Sequence, residues 1–336
     1  MFSPNQLPLV SVIIPTYNYA GYIAEAIKSI QNQQYPTDKI EIIVVDDGST
    51  DNTKALIESY ELAQNIRYFF QENSGKASAT RKGINEAKGE IIFNMDADDF
   101  FFDTKIAKVV HVFEQYPEVV HVGHPATIMY NSDNKQYLEN IACIDFNTPI
   151  DGKQLMFSFL AKNILYGGGS TFACRKKILD SKYLLNEVDM YTDEYLLYAT
   201  LLKGKSYFIQ ESLSVWRIHQ NNYSVGILSK EMLLFKRRRL LNSAKGLMTA
   251  MQPMLTDTTL ETLLRIKYFT RLLYYYQEEN NTINWLLNLM KMMAFMSNHF
   301  FIISGNWKQI IKNYTLVNRF LPPFIYKIFK KYQTAK

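Results

Sequence analysis

The amino-acid sequence predicts an α/β fold, a mostly parallel central sheet followed by an all-helical C-terminal extension. Three observations carry that prediction. Short, nearly continuous Ile and Val runs alternate with amphipathic stretches through the first 130 residues, the pattern of a parallel sheet covered on both faces. Successive runs end in clusters of polar and acidic residues. Beyond residue 227 no strand-like alternation survives, and stretches rich in Leu, Met and aromatics take over.

Each element can be read in turn. "VSVIIP" (10–15) is the first strand, and 21–33 is a helix with Ile23, Ala26, Ile27 and Ile30 on one face. "IEIIVVD" (40–46) is a second buried strand, followed by a helix over about 52–62. "IRYFF" (66–70), a helix at 76–87 and "EIIFNMD" (90–96) continue the alternation. Next come a helix beyond 104, the strand "EVVHVGH" (118–124), a loop region to about 150 and a helix near 151–161. "STFACR" (170–175), a helix at 192–203 and short strands at 205–210 and 213–218 complete the first part. Residues 1–226 therefore read as one domain and 227–336 as a helical extension.

Composition narrows the class. The chain has 336 residues, 47% of them apolar, with 23 Tyr and 21 Phe, which excludes a disordered protein. Cys143 and Cys174 show neither metal-ligand nor CxxC spacing, which fits a reducing compartment. "MFSPNQLPLV" has no basic segment followed by an apolar core, so a signal peptide is not expected. "TINWLLNLMKMMAFMSNHFFIIS" falls short of a spanning helix, being broken by Asn288, Lys291, Asn298 and His299. Residues 227–336 hold 17 Lys or Arg against 5 Asp or Glu, a net of +12. The remainder is acidic, with 20 against 27, a net of −7. An acidic catalytic part with a basic appendage is the expectation.

Chemistry concentrates at the strand ends. The first strand ends in "PTYN", the second in "DDGSTDNT", and the fourth in "DADD" with Asp96, Asp98 and Asp99. Taken singly, each has an ordinary explanation as a turn or a helix cap at Ser49, Asp51, Asp99 or Asp103. Crowded carboxylates repel unless a cation neutralises them, and open α/β sheets bind ligands beyond the carboxyl ends of their strands. A divalent-metal site is the alternative.

These segments carry a resemblance. "VSVIIPTYNYAGYIAEAIKSIQNQQYP", "IEIIVVDDGSTDNT" and "NSGKASATRKGINEAKGEIIFNMDADD" together resemble the family 2 glycosyltransferases of GT-A fold, over roughly residues 9–226. The resemblance implies a nucleotide-sugar site in which Pro15 and Tyr17 pack on a uracil ring and Asp47 accepts from its N–H. Stacking on a base is physically apt for an aromatic side chain. Asp96 would hold the ribose or the metal, and Asp98 would ligate the Mn²⁺ or Mg²⁺ that bridges the diphosphate. Arg81 would approach the diphosphate, although Lys82 stands where the family usually has Asn.

Farther along, "YTDEYLLYATLLKGKSYFIQESLSVWRIHQNNYS" resembles the family segment that supplies a general base. By that resemblance Asp193 would take the role, with Thr192 in place of the usual preceding Glu. An inverting transfer needs one base to receive the proton of the acceptor hydroxyl. Leu197 and Leu201 place the stripe of Asp193 against the domain body, so Glu194, which shares its side with Tyr198, is expected to be the wetter. The rival explanation makes both acids ordinary first-turn residues favoured by the helix dipole. His219 is a candidate ligand of metal or diphosphate, with a structural histidine as the alternative. Gly167–Gly169 resembles the acceptor-side loop, where the backbone passes close to substrate.

The expected function is a metal-dependent inverting glycosyltransferase of cell-surface polysaccharide biosynthesis. It would use a UDP-sugar and a hydroxyl of a glycan or lipid-linked glycan. Two alternatives remain: a sugar-phosphate nucleotidyltransferase, which would usually show a Gly-rich loop with Arg and Lys where "PTYNYAGY" stands, and an inactive nucleotide-sugar-binding module, against which the retained Asp98 and Asp193 speak. A nucleic-acid partner is not expected, because "KRRR" (236–239) accompanies no recognised module. Basic helices rich in Leu, Met and Phe instead suit a cytoplasmic protein peripheral to an anionic inner membrane face.

Overall fold

Seven consecutive buried residues in each of β1 (Val10–Thr16) and β2 (Ile40–Asp46) form the middle of a parallel sheet. The structure, a computed structural model, describes residues 7–59, 66–142, 144–219, 230–299 and 322–323. The chain divides into two units, residues 1–152 with 166–227, and residues 153–165 with 228–336.

In the first unit, Val10 lies opposite Ile40 and Thr16 opposite Asp46, so β1 and β2 end level with each other. α1 (Ile23–Gln31) buries Ile23, Ala26, Ile27 and Ile30, the face expected from their spacing. α2 (Thr53–Ser59) leads to β3 (Ile66–Phe70), which pairs parallel to β2. α3 (Lys76–Glu86) returns the chain to β4 (Ile91–Asn94), parallel to β1 on its other side. Parallel pairing with helical crossovers sends three strand ends to one edge, and the polar clusters follow there. α3 lies unusually close to the sheet, since a Cβ on Gly83 would collide with Cγ2 of Ile13. A mid-helix glycine costs about 1 kcal/mol relative to alanine, and here the close approach offsets it.

The remaining strands are β5 (Phe100–Phe101), β6 (Val119–Gly123), β7 (Ala126–Tyr130), β8 (Gln136–Leu138), β9 (Pro149–Asp151), β10 (Ala173–Arg175), β11 (Lys205–Phe208) and β12 (Ser214–Ile218). The helices between them are α4 (Lys105–Gln115), α5 (Gly152–Lys162) and α6 (Thr192–Leu201). The large sheet has the order β3-β2-β1-β4-β10-β6-β11-β9. β10 runs antiparallel to both of its neighbours, β11 parallel to β6, and β9 antiparallel to β11. A smaller sheet, β5-β12-β7-β8, sits apart in the hydrogen-bonding scheme. In it Ser214 pairs antiparallel with Phe101 and Val215 with Phe100, so β12 runs on toward the acidic cluster that precedes β5.

Two sequence expectations need correction. The span to residue 150, expected to be loop, contains β7, β8 and β9. Tyr137 and Leu138 of β8 are 54% and 65% exposed, so the hairpin lacks the buried alternation that marks a strand. In "STFACR" only Ala173–Arg175 is strand, because Gly169–Thr171 forms a 3₁₀ turn. The helix expected over 52–62 is described as far as Ser59, and its remainder lies outside the described residues, as does Cys143. Cys174 is buried and free.

The second unit contains α5 from Lys153 onward, together with α7 (Lys230–Met251), α8 (Thr258–Glu278) and α9 (Thr282–Asn298). Asp257 caps α8 by accepting from the N–H groups of Thr259 and Leu260. Arg237 pairs with Glu278 at 2.7 Å. Leu273, Trp285 and Met292 form a buried cluster. The other side of α9 is apolar as well, yet Ile283 is 74% exposed and Leu286, Leu287, Met290 and Met293 are exposed with it.

Candidate active site

The acidic loop after β4 is held from both ends. Met95 donates its N–H to Ile13 at 3.0 Å, and Asp99 N–H returns to the Asp96 carbonyl at 3.0 Å, closing a tight turn. Ser170 Oγ accepts from Asp96 N–H at 3.0 Å and donates to Asp99 Oδ2 at 2.5 Å. Arg217 donates its N–H to Asp99 Oδ1 at 2.9 Å. Asp99 thus braces the loop from beneath. Its burial, together with the charges of Asp98 and Asp96, pushes its pKa well above the usual carboxylate range.

Asp98 is nearly buried and sits 3.0 Å from His219 Nε2. The His219 ring stacks on Tyr22 with centroids 4.4 Å apart and planes 22° apart. Burial first and the Asp96 charge second raise the Asp98 pKa, while the His219 contact pulls it back only in part. Asp98, expected to ligate the metal, and His219, a candidate ligand of metal or diphosphate, are therefore brought together.

Lys76, at the start of α3, joins two more of the carboxylates. Its Nζ is 2.7 Å from Asp96 Oδ1 and 3.0 Å from Asp193 Oδ1, and it donates to Asp193 Oδ2 at 3.2 Å. Burial opposes the lysine charge, but Asp193 and Asp96 more than offset it, and the Lys76 pKa is raised. Burial likewise raises the Asp193 pKa, with Asp96 adding and Lys76 subtracting. Gly167 and Gly169 have φ of +79° and +55°, and a Cβ on Gly169 would stand 3.5 Å from Asp193 Oδ2 and 3.6 Å from Asp96 Oδ2. The Gly167 carbonyl is 3.0 Å from Nε2 of buried His121, whose Nδ1 is 2.7 Å from Ser206 Oγ.

One expectation about α6 is reversed. Glu194 is 3% exposed, whereas the Asp193 side chain keeps about a third of its surface, 32%. Residues Tyr195 to Leu201 are all buried, so α6 has no wet face there and stripe counting from Leu197 and Leu201 had nothing to discriminate.

Of the two residues expected to pack on a uracil ring, Tyr17 is 44% exposed at the edge, while Pro15 is buried within β1 opposite Val45. Asn18, at φ +59°, accepts from Thr50 N–H at 2.8 Å and ties the first two strand-end loops together. Asp51 accepts from Thr53 N–H, the capping contact expected of it. Asp47 Oδ1 accepts from Gln71 Nε2 and Ser74 N–H, and its Oδ2 accepts from Gly75 N–H at 2.8 Å. Its carboxylate fixes the loop that enters α3. Arg81 donates to the Leu184 carbonyl at 3.1 Å, so Lys76, and not Arg81, is the α3 cation in contact with Asp96 and Asp193.

Sequence reasoning passed over Lys76, Ser170 and Arg217. A signal for Lys76 existed: a lysine in the first turn opposes the helix dipole and needs acidic partners elsewhere. Nothing local marks Ser170 or Arg217, whose roles follow from sheet topology.

The glycosyl transferase family 2 model matches residues 11–181, half of the chain, and the chain belongs to that family. An uncharacterized glycosyltransferase of Nostoc sp. is 34% identical over 224 residues, covering 63% of this chain and 66% of the relative. The GalNAc(5)-diNAcBac-PP-undecaprenol beta-1,3-glucosyltransferase of Campylobacter jejuni is 27% identical over 66% of this chain and 68% of its own. The chain thus spans about two thirds of the length of these relatives. Among solved structures, S. aureus TarS 1-349 in complex with UDP-GlcNAc superposes with a TM-score of 0.58 at 16% identity, over 91% of this chain and 89% of that one. The likeness shows a shared fold, the α/β arrangement of GT-A type.

Proposed function

We propose that the chain transfers a sugar, with inversion, from a UDP-sugar to a hydroxyl of a glycan or lipid-linked glycan in cell-surface polysaccharide biosynthesis. Residues 1–226 would be the catalytic domain and 227–336 a basic helical extension. One observation carries the reading. Asp96, at the end of a sheet strand, and Asp193, on α6, come within one ammonium of each other at a strand-end edge. The pairing supports Asp96 as a donor-side carboxylate beside Asp193 as the base, the juxtaposition a direct displacement requires.

Roles follow from position. Exposed Tyr17 stacks on the uracil, next to Pro15, and Asp47 accepts from the base N–H with a lone pair left over from its three loop contacts. Asp96 addresses the ribose, and Arg81 stands farther back on α3 toward the diphosphate. Asp193 receives the acceptor proton.

The donor set suits a divalent cation. Carboxylate and imidazole are acceptable ligands for Mn²⁺ or Mg²⁺, and buried Asp98 and His219 lie 3.0 Å apart with Asp96 on the same loop. Among the described residues no three His, Cys, Asp or Glu converge to hold a metal by themselves. Asp98 and His219 would therefore hold the ion together with diphosphate oxygens, and the bound ion would stabilise charge on the leaving UDP. The relatives fit this outline: TarS was crystallised with UDP-GlcNAc, and the Campylobacter jejuni enzyme is named for an undecaprenol-linked acceptor.

Among the described residues no helix is long and apolar enough to cross a membrane. The exposed apolar stripe of α9 and the net +12 of residues 227–336 favour peripheral contact with an anionic membrane surface. Release of UDP from a panel of nucleotide sugars tests the proposal, and release from none of them, with or without Mn²⁺, would overturn it.

A further inference from the structure

Lys76 has no assigned part in the reaction, yet it is the cation shared by the two carboxylates that serve different substrates. We propose that Lys76 is a latch: without donor its ammonium ties Asp193 to Asp96, and an arriving diphosphate draws it away and frees Asp193 for the acceptor hydroxyl. The proposal rests on the reading of Asp96 as a donor-side group and Asp193 as the base.

The geometry supports a movable tie on a fixed mount. The Lys76 N–H is anchored to Asp189 Oδ1 at 3.0 Å, and the preceding Ser74 and Gly75 N–H groups are anchored to Asp47. Gly75 has φ +91°, and a Cβ there would lie 2.6 Å from Asp189 Oδ1, so this entry to α3 tolerates little change. Beyond that anchored backbone the lysine stem has four rotatable carbons, and its three N–H donors can exchange partners without moving the helix. The first turn of a helix repels a cation, so the two acids hold the ammonium in place, and the backbone does not. A diphosphate carries more charge than either carboxylate and is also favoured at that helix end. Gly169 leaves the space beside both carboxylates clear. Donor would then bind before acceptor, because the base is engaged until the diphosphate arrives.

Titration calorimetry of UDP in Mg²⁺ buffer tests this with Lys76→Met, Asp193→Asn and the double variant. Loss of one charge-assisted contact in Lys76→Met should weaken UDP about tenfold. Asp193→Asn should tighten UDP by roughly threefold or more, since the ammonium loses a competing partner, and that gain should vanish in the Lys76→Met background. Lys76→Arg, which keeps the charge, should bind UDP within about threefold of wild type, a rescue that a purely structural lysine would not show. Lys76→Gln replaces Lys76→Met in the cycle if the latter does not fold. Additive effects of the two substitutions would overturn the latch and leave the UDP site standing. Failure of the wild-type chain to bind UDP would instead overturn the donor reading.

Discussion

His219 Nε2 lies 3.0 Å from Asp98 Oδ2, although 121 residues separate them in the chain. β12 makes that meeting possible. It pairs antiparallel with β5, which directly follows the acidic loop, so Arg217 and His219 come alongside Asp99 and Asp98. The contact joins a carboxylate of raised pKa to an imidazole already stacked on Tyr22.

If that pair holds the divalent ion, Asp98→Asn should lower UDP release by at least about 100-fold, the scale of a lost electrostatic stabiliser. The variant should melt close to the wild type. EDTA should reproduce the loss, and added Mn²⁺ or Mg²⁺ should reverse it. Undiminished turnover in chelator would remove the metal from the proposal.

Asp193 and Glu194 separate by kinetics. Asp193→Asn should reduce transfer by roughly 10²–10⁴, the usual cost of a lost general base, without weakening donor binding. Glu194→Gln should change the rate far less, since Glu194 is buried and the Asp193 carboxyl is the one beside Lys76 and Gly169. The opposite order in steady-state rates would make Glu194 the base.

Acid should loosen the glycine loop through His121. Burial lowers its pKa to about 4 against an ordinary 6.5, despite its contact with the Gly167 carbonyl. The folded state holds it neutral, so its stabilising share is complete above pH 6.5 and is lost as pH falls toward 4. Over that window the unfolded chain binds the extra proton. The loss amounts to about 3 kcal/mol at most. His121→Asn should flatten the dependence of the melting temperature on pH between about 6.5 and 4. An unchanged slope would place the acid sensitivity elsewhere, beginning with His124, which burial also drives down.

Membrane contact by the second unit should appear in vesicle sedimentation. Binding should rise with anionic lipid and fall with salt, because exposed charges are screened. Replacing Ile283, Leu287 and Met290 by Ser should weaken it by removing apolar surface that α9 exposes. Equal binding to neutral and anionic vesicles, or none, would end the membrane reading without touching the catalytic one.

What could be read in the sequence is what is local to it. β1, β2 and β4 announce themselves by buried runs and α1 by its 3.6-residue spacing, and the strand-end acids Asp47, Asp96 and Asp98 come attached to β2 and β4. The partners of these acids are another matter. Lys76 meets Asp193 across 117 residues, Ser170 meets Asp99 across 71 beside the antiparallel insertion of β10, and Arg217 meets Asp99 across 118 through the return of β12. Neither reversal leaves a periodic trace. Asp193 and Glu194 were misjudged for exposure because a helix buried all round offers no amphipathic contrast.

Gly83 has a consequence for anyone altering this chain. It stands two turns along α3 from Lys76, and what it does is let the helix rest on Ile13. A methyl group there would lever the helix off the sheet and carry its anchored first turn along. The loss would surface as poor UDP affinity in a protein that still folds, so a mutational screen would flag a position remote from any ligand. Tolerance to substitution in this molecule is governed by the clearance between a helix and the strand beneath it as well as by the groups that meet the substrate.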